Sequence, residues 1–141
     1  MEISIDQKQK EIIENFEYFD DWADKYAYLI SLGKSLEAFP PSKKDQQHLI
    51  KGCQSLVWFD AHYQEGILYF KGTSDAAIVS GLIYLLLDVY NAQTPEVILN
   101  TEPYFIEAIG LSRHLSPTRS NGLYAMLKAI KNFAKDYARK S

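Results

Sequence analysis

Cysteine is nearly absent from this chain of 141 residues: Cys53 is the only one. That scarcity excludes an internal disulfide and a two-cysteine redox motif, and it argues against a cysteine-rich metal or cluster site. Long apolar runs are also missing. The longest, Gly81 to Leu87, falls far short of the roughly 20 residues that cross a bilayer. Positive charge is not in excess, since 15 Lys and Arg stand against 18 Asp and Glu for a net charge of −3. A general nucleic-acid role, which needs clustered positive charge, is therefore disfavoured. No stretch resembles a signal peptide. Internal repeats, low-complexity tracts and a second-domain linker are lacking, so one domain over residues 1–141 is expected, in a soluble, cytoplasmic protein. The three histidines, His48, His62 and His114, are scattered without ligand spacing, and no metal site is expected.

What is present is an ordinary globular balance, 47% hydrophobic and 23% charged residues. Charge is unevenly placed. The first 24 residues hold eight acids (Glu2, Asp6, Glu11, Glu14, Glu17, Asp20, Asp21 and Asp24), and the last 14 hold Lys128, Lys131, Lys135, Arg139 and Lys140 against Asp136. Acids at helix starts and bases at helix ends explain most such patterns, with a docking surface as the rival reading.

Ser4-Ile-Asp-Gln7 reads as a capping box, followed by Ile12, Ile13, Phe16 and Phe19 at helical spacing. Asp20 or Asp21 caps a second helix that Gly33 stops. Residues 34–47, with Pro40-Pro41, read as loop. Ser55 to Tyr63 and Ile67 to Lys71 read as two strands joined by the hairpin turn Gln64-Glu65-Gly66. Gly72 ends the second strand, and Thr73 or Ser74 caps a helix from Ala76 to Tyr90 that is apolar on nearly every face and hence central. Thr94-Pro95 opens a short helix, Pro103 to Ala108 forms another closed by Gly110, and Ser116-Pro117 opens a long last helix. The fold class is α+β, helices packed on one face of a small antiparallel sheet.

Cys53 falls in the loop entering the hairpin, between Gly52 and Gln54. A free cysteine is most often a buried small hydrophobe. Here the neighbours Lys51, Gly52, Gln54 and Ser55 are polar or flexible, which favours a reactive role. A cysteine hydrolase needs a histidine beside the cysteine and a third group to orient it, and no protease signature surrounds Cys53. One thiol alone can still accept and release a group by thiol exchange. From the residues alone, two readings stay open: a group carrier of unknown cargo, or an inert cysteine.

The stretch Gly52-Cys-Gln-Ser55, followed by Val57-Trp58, resembles the active-site motif of the SufE family, sulfur acceptors of iron–sulfur cluster assembly. Tyr26 to Gly33 (YAYLISLG), Gly72 to Leu82 (GTSDAAIVSGL) and His114 to Met126 (HLSPTRSNGLYAM) resemble further family segments, in the family's order, over about residues 10 to 135. The resemblance implies a fold shared with IscU-type scaffolds. It also implies a function that is not catalytic in its own right. Cys53 would take persulfide sulfur from a SufS-type cysteine desulfurase, stimulate that enzyme, and pass the sulfur to a SufBCD-type scaffold. The pyridoxal phosphate belongs to the desulfurase, and no cofactor is expected here. The acceptor thiol is implied to tuck inward, sheltered by Leu56, Val57, Trp58, Phe59, Ile78, Leu82 and Leu85, with Gly52 as the pivot for turning outward. Gly52, Gln54 and Asp75 are the partner-binding candidates. Arg119, a cation at a helix start, is either in a structural ion pair or a stabiliser of the Cys53 thiolate or persulfide. The alternatives are a non-catalytic desulfurase-docking module and a carrier for another sulfur pathway. The protein is expected as a monomer or weak homodimer.

Overall fold

The computed structural model describes residues 4–138, so Glu2, Arg139 and Lys140 of the charge pattern lie outside the described residues. Helix α1 (Ile5–Glu17) begins where Ser4 predicts: its hydroxyl accepts the Gln7 amide at 3.1 Å. Asp21 caps α2 (Trp22–Gly33) by accepting the Asp24 amide at 2.9 Å. Asp6, Asp21 and Asp24 thus sit at helix starts as dipole placement favours. Glu14 and Glu17, in the last turn of α1, sit where it does not.

Strands β1 (Val57–Gln64) and β2 (Ile67–Ser74) form a two-stranded antiparallel sheet. Glu65 and Gly66 make the two-residue turn, both at positive φ (52° and 83°), the backbone that matches the twist of a hairpin. In this register Phe59 pairs with Gly72, Ala61 with Phe70 and Tyr63 with Leu68, all on one face. Phe59, Leu68 and Phe70 there are buried, whereas His62 and Tyr69 of the opposite face are exposed.

Gly72 does not end β2, contrary to the sequence expectation. It is where the ring of Phe59 needs room: an added Cβ would lie 2.8 Å from that ring. The ladder runs on to Ser74, so Thr73 and Ser74 are strand residues that lie too far before the helix to occupy its N-cap position. Helix α3 (Ala77–Tyr90) starts after Ala76, whose amide donates to Ser74 Oγ. As its composition predicts, α3 is central, packing on α1, α2, α7 and β2. Gly33 is the last residue of α2, as expected, but not through a left-handed cap, since neither it nor Lys34 has positive φ. It also lets α2 cross α3 closely, since a Cβ there would meet Gly81 N at 2.7 Å.

Helix α4 (Pro95–Leu99) is capped by Thr94, and α5 (Phe105–Ile109) closes at Gly110. A turn of helix that the sequence does not suggest, α6 (Leu111–His114), precedes the long α7 (Pro117–Ala138). Ser116 Oγ accepts the Arg119 amide at the start of α7. Among the described residues, no helix is long and apolar enough to cross a membrane.

Candidate functional site

Residues 51–56 form a loop fixed at both ends. On the entry side the chain lies antiparallel to β1: the Ile50 amide donates to Val57 O at 2.8 Å, and the Phe59 amide donates to His48 O at 3.0 Å. On the exit side Asp75 grips Leu56 twice. Its carboxylate Oδ1 accepts the Leu56 amide at 3.1 Å, and its own amide donates to Leu56 O at 3.3 Å. Asp75 is therefore not in the first turn of α3 but is the clasp of the loop. Gly52 takes φ 93°, a left-handed conformation that suits glycine, and packs against α7, where an added Cβ would lie 3.1 Å from Ala125 Cβ.

This frame turns Cys53 inward. The half-buried thiol donates to Gly122 O, in α7, at 3.6 Å. Around it is a small cavity of about 20 Å³, with Gln54, Ser55, Thr118 and Arg119 at the rim and Val79, Leu82, Gly122, Leu123 and Met126 as buried walls. Of the shelter residues expected from sequence, only Leu82 lines it. The walls come from α3 and α7 rather than the sheet, and Leu56 is exposed. Arg119, expected from sequence, does reach the site, and the missed Gly122, Leu123 and Met126 were legible in one respect: with Arg119 they follow i, i+3, i+4, i+7 and so share one helical face. What placed that face over Cys53 was tertiary packing.

Burial pushes the Cys53 thiol up from its ordinary value, because the apolar walls penalise the thiolate. The hydrogen bond to the Gly122 carbonyl is one that only the protonated form can donate. At rest the site holds a neutral thiol. Arg119 reaches the rim with an exposed side chain, Gln54 is also exposed at the rim, and Asp75 lies behind the loop. No histidine lines the cavity. His48 contacts Asp45 and Asp60, His62 contacts Gln64, and His114 stacks on Trp22. A cysteine–histidine nucleophile pair is not formed at Cys53. Among the described residues no group of three or more His, Cys, Asp or Glu side chains could hold a metal ion.

The larger grooves lie elsewhere. One, of about 290 Å³, runs between Lys8, Leu36, Lys71, Tyr84 and Asp88. It contains no thiol, and the chemistry available at Cys53 is that of the small cavity alone.

Two comparisons bear on this geometry. The family model for the SufE domain, described as Fe-S metabolism associated, matches residues 10–134. The solution structure of a hypothetical protein from Thermus thermophilus superposes with a TM-score of 0.76 at 22% identity, over 95% of this chain and 97% of that one. This second likeness shows a shared fold.

Proposed function

The chain belongs to the SufE family, whose domain is associated with iron–sulfur metabolism, and from that premise we propose that it carries sulfur on Cys53. The donor is a persulfide on a SufS-type cysteine desulfurase, a pyridoxal-phosphate enzyme that this chain also stimulates. The recipient is a SufBCD-type scaffold. The transfer is a thiol exchange. The Cys53 thiolate attacks the terminal sulfur of the donor persulfide, a new S–S bond forms, the donor's S–S bond breaks, and the donor cysteine leaves as a thiolate. No electrons are gained or lost overall.

The observation that carries this reading is the inward-facing thiol of a pinned but shallow loop. A neutral, half-buried thiol reacts slowly, and a persulfide in the same place is shielded from passing thiols. Reaction then requires the loop to turn outward on the partner, pivoting at Gly52 and releasing the Asp75 clasp on Leu56. Binding energy from the encounter selects that minor state. Arg119 and Gln54 stand at the rim, where the partner meets the loop, and Arg119 is suited to favour the thiolate once it is exposed.

The deciding experiment is mass spectrometry after incubation with the desulfurase and cysteine. Wild-type protein should gain sulfur at Cys53, and Cys53→Ser should fold normally and gain none. An unmodified Cys53 in the wild-type protein would instead favour a docking module with an inert cysteine.

A further inference from the structure

Gly122 is the one wall of the Cys53 cavity made by the absence of a side chain. A Cβ built on it would lie 3.8 Å from the cysteine sulfur, ordinary contact for the unloaded thiol, and would take up space in the cavity beside that sulfur. The other walls cannot yield that space. Val79, Leu82, Leu123 and Met126 are all buried on helices, where packing is close and volume changes are felt. The cavity measures about 20 Å³, against roughly 10–15 Å³ for a space that admits one water. Behind the rim there is thus room for little more than one small added atom beside the thiol.

We infer that Gly122 sets the capacity of this carrier at a single sulfur. The inference rests on Cys53 being the sulfur acceptor. Loading proceeds as Cys53–S⁻ plus R–S–SH, giving Cys53–S–SH and R–S⁻. The new sulfur sits about 2.05 Å from Sγ, within the cavity, once the S–H contact to Gly122 O has been given up. A second round would convert Cys53–S–S⁻ and R–S–SH into Cys53–S–S–SH and R–S⁻. Its terminal atom lies one further S–S bond away, beyond the apolar walls. A polysulfide tail would have to remain in solvent with the loop open, where any thiol strips it by exchange.

The test loads the purified protein with inorganic polysulfide, which needs no desulfurase, then applies a short chase with glutathione and counts retained sulfur by mass spectrometry. Wild-type protein should emerge with one added sulfur. Gly122→Ala, its fold verified by thermal melting, should lose that sulfur about tenfold faster in the chase, because the filled cavity holds the persulfide outward. Val79→Ile, which narrows the cavity from α3, provides a second variant if Gly122→Ala does not fold. Wild-type protein that keeps two or more sulfurs through the chase would overturn the inference, as would equal persulfide lifetimes in wild type and the filled variants. Failure to take sulfur from a desulfurase, with a protected single sulfur after chemical loading, would count against the proposed function and leave the capacity of the cavity standing.

Discussion

At Gly81 the backbone of α3 comes so close to α2 that an added Cβ would lie 2.2 Å from the Leu29 carbonyl oxygen. At Gly122 the nearest atom to an added Cβ is the sulfur of Cys53, at 3.8 Å. Both glycines are buried, both lie within helices, and Leu82 beside the first and Leu123 beside the second wall the same cavity. In the first case the missing side chain is filled by another backbone and holds two helices together. In the second it is left as space against a reactive atom. Residue type and burial are alike, and only the identity of the neighbour separates a packing glycine from one that belongs to a site.

The largest effect that tests this contrast is at the crossing. Gly81→Ala places a methyl against a carbonyl that cannot move without shifting α2, and overpacking of this kind costs about 1–3 kcal/mol, the upper end being expected at so close a contact. Gly122→Ala meets no such obstacle and gains helix propensity, so its stability should be equal or higher by up to about 1 kcal/mol. Denaturant unfolding of the two variants measures the difference directly. A Gly81→Ala protein as stable as Gly122→Ala would mean that the crossing is not as tight as its geometry indicates.

A smaller effect is expected at the clasp. Asp75→Ala removes the acceptor for the Leu56 amide, a bond worth about 1 kcal/mol or roughly a fivefold change in the loop-opening equilibrium. Because the loop must open for the thiol to react, alkylation of Cys53 in the free protein should speed up by that factor, with little change in melting temperature. Charge reversal at Asp75 should in addition alter desulfurase affinity. A large loss of stability with unchanged alkylation would make Asp75 part of the fold rather than the gate of the loop.

Much of this was legible in the sequence wherever the cause is local. Ser4, Asp21, Thr94 and Ser116 each accept an amide three residues on, as their positions before helical patterns predict. The Glu65-Gly66 turn and the even apolar composition of α3 are equally readable. Glycine is legible only in part. Gly33 reads as a stop and α2 does end there, whereas Gly72 reads as a stop and β2 runs on to Ser74. Both make room for a partner distant in sequence, Gly81 and Phe59, that no local pattern names. The site follows the same rule. Cys53 stands out by its rarity and its polar loop. Gly122, Leu123 and Met126 lie in the segment that carries the family resemblance, but no local pattern places them at the thiol, because their roles depend on α7 passing under that loop.

The smallest effect is electrostatic and comes from the cavity itself. Burial raises the Cys53 pKa in the folded protein, so folding favours the protonated thiol. The sign follows from linkage: a group whose folded pKa lies above its unfolded value contributes stability that is complete below the unfolded pKa and is lost as pH rises through the folded one. Stability should therefore decline as pH climbs past the ordinary thiol value of about 8.5. Lys131, whose pKa burial lowers, titrates in the alkaline range with the opposite sign. The contribution of Cys53 is accordingly the difference between wild type and Cys53→Ser, in which the lysine cancels. The stability of wild type relative to Cys53→Ser should therefore fall as pH rises through the thiol range. Gly122→Ala should leave this trend in place, because the added methyl keeps the thiol dry, whereas Asp75→Ala should weaken it by letting water reach the sulfur. A difference that stays flat from neutral to alkaline pH would mean that the resting thiol is solvated and that the cavity shelters nothing.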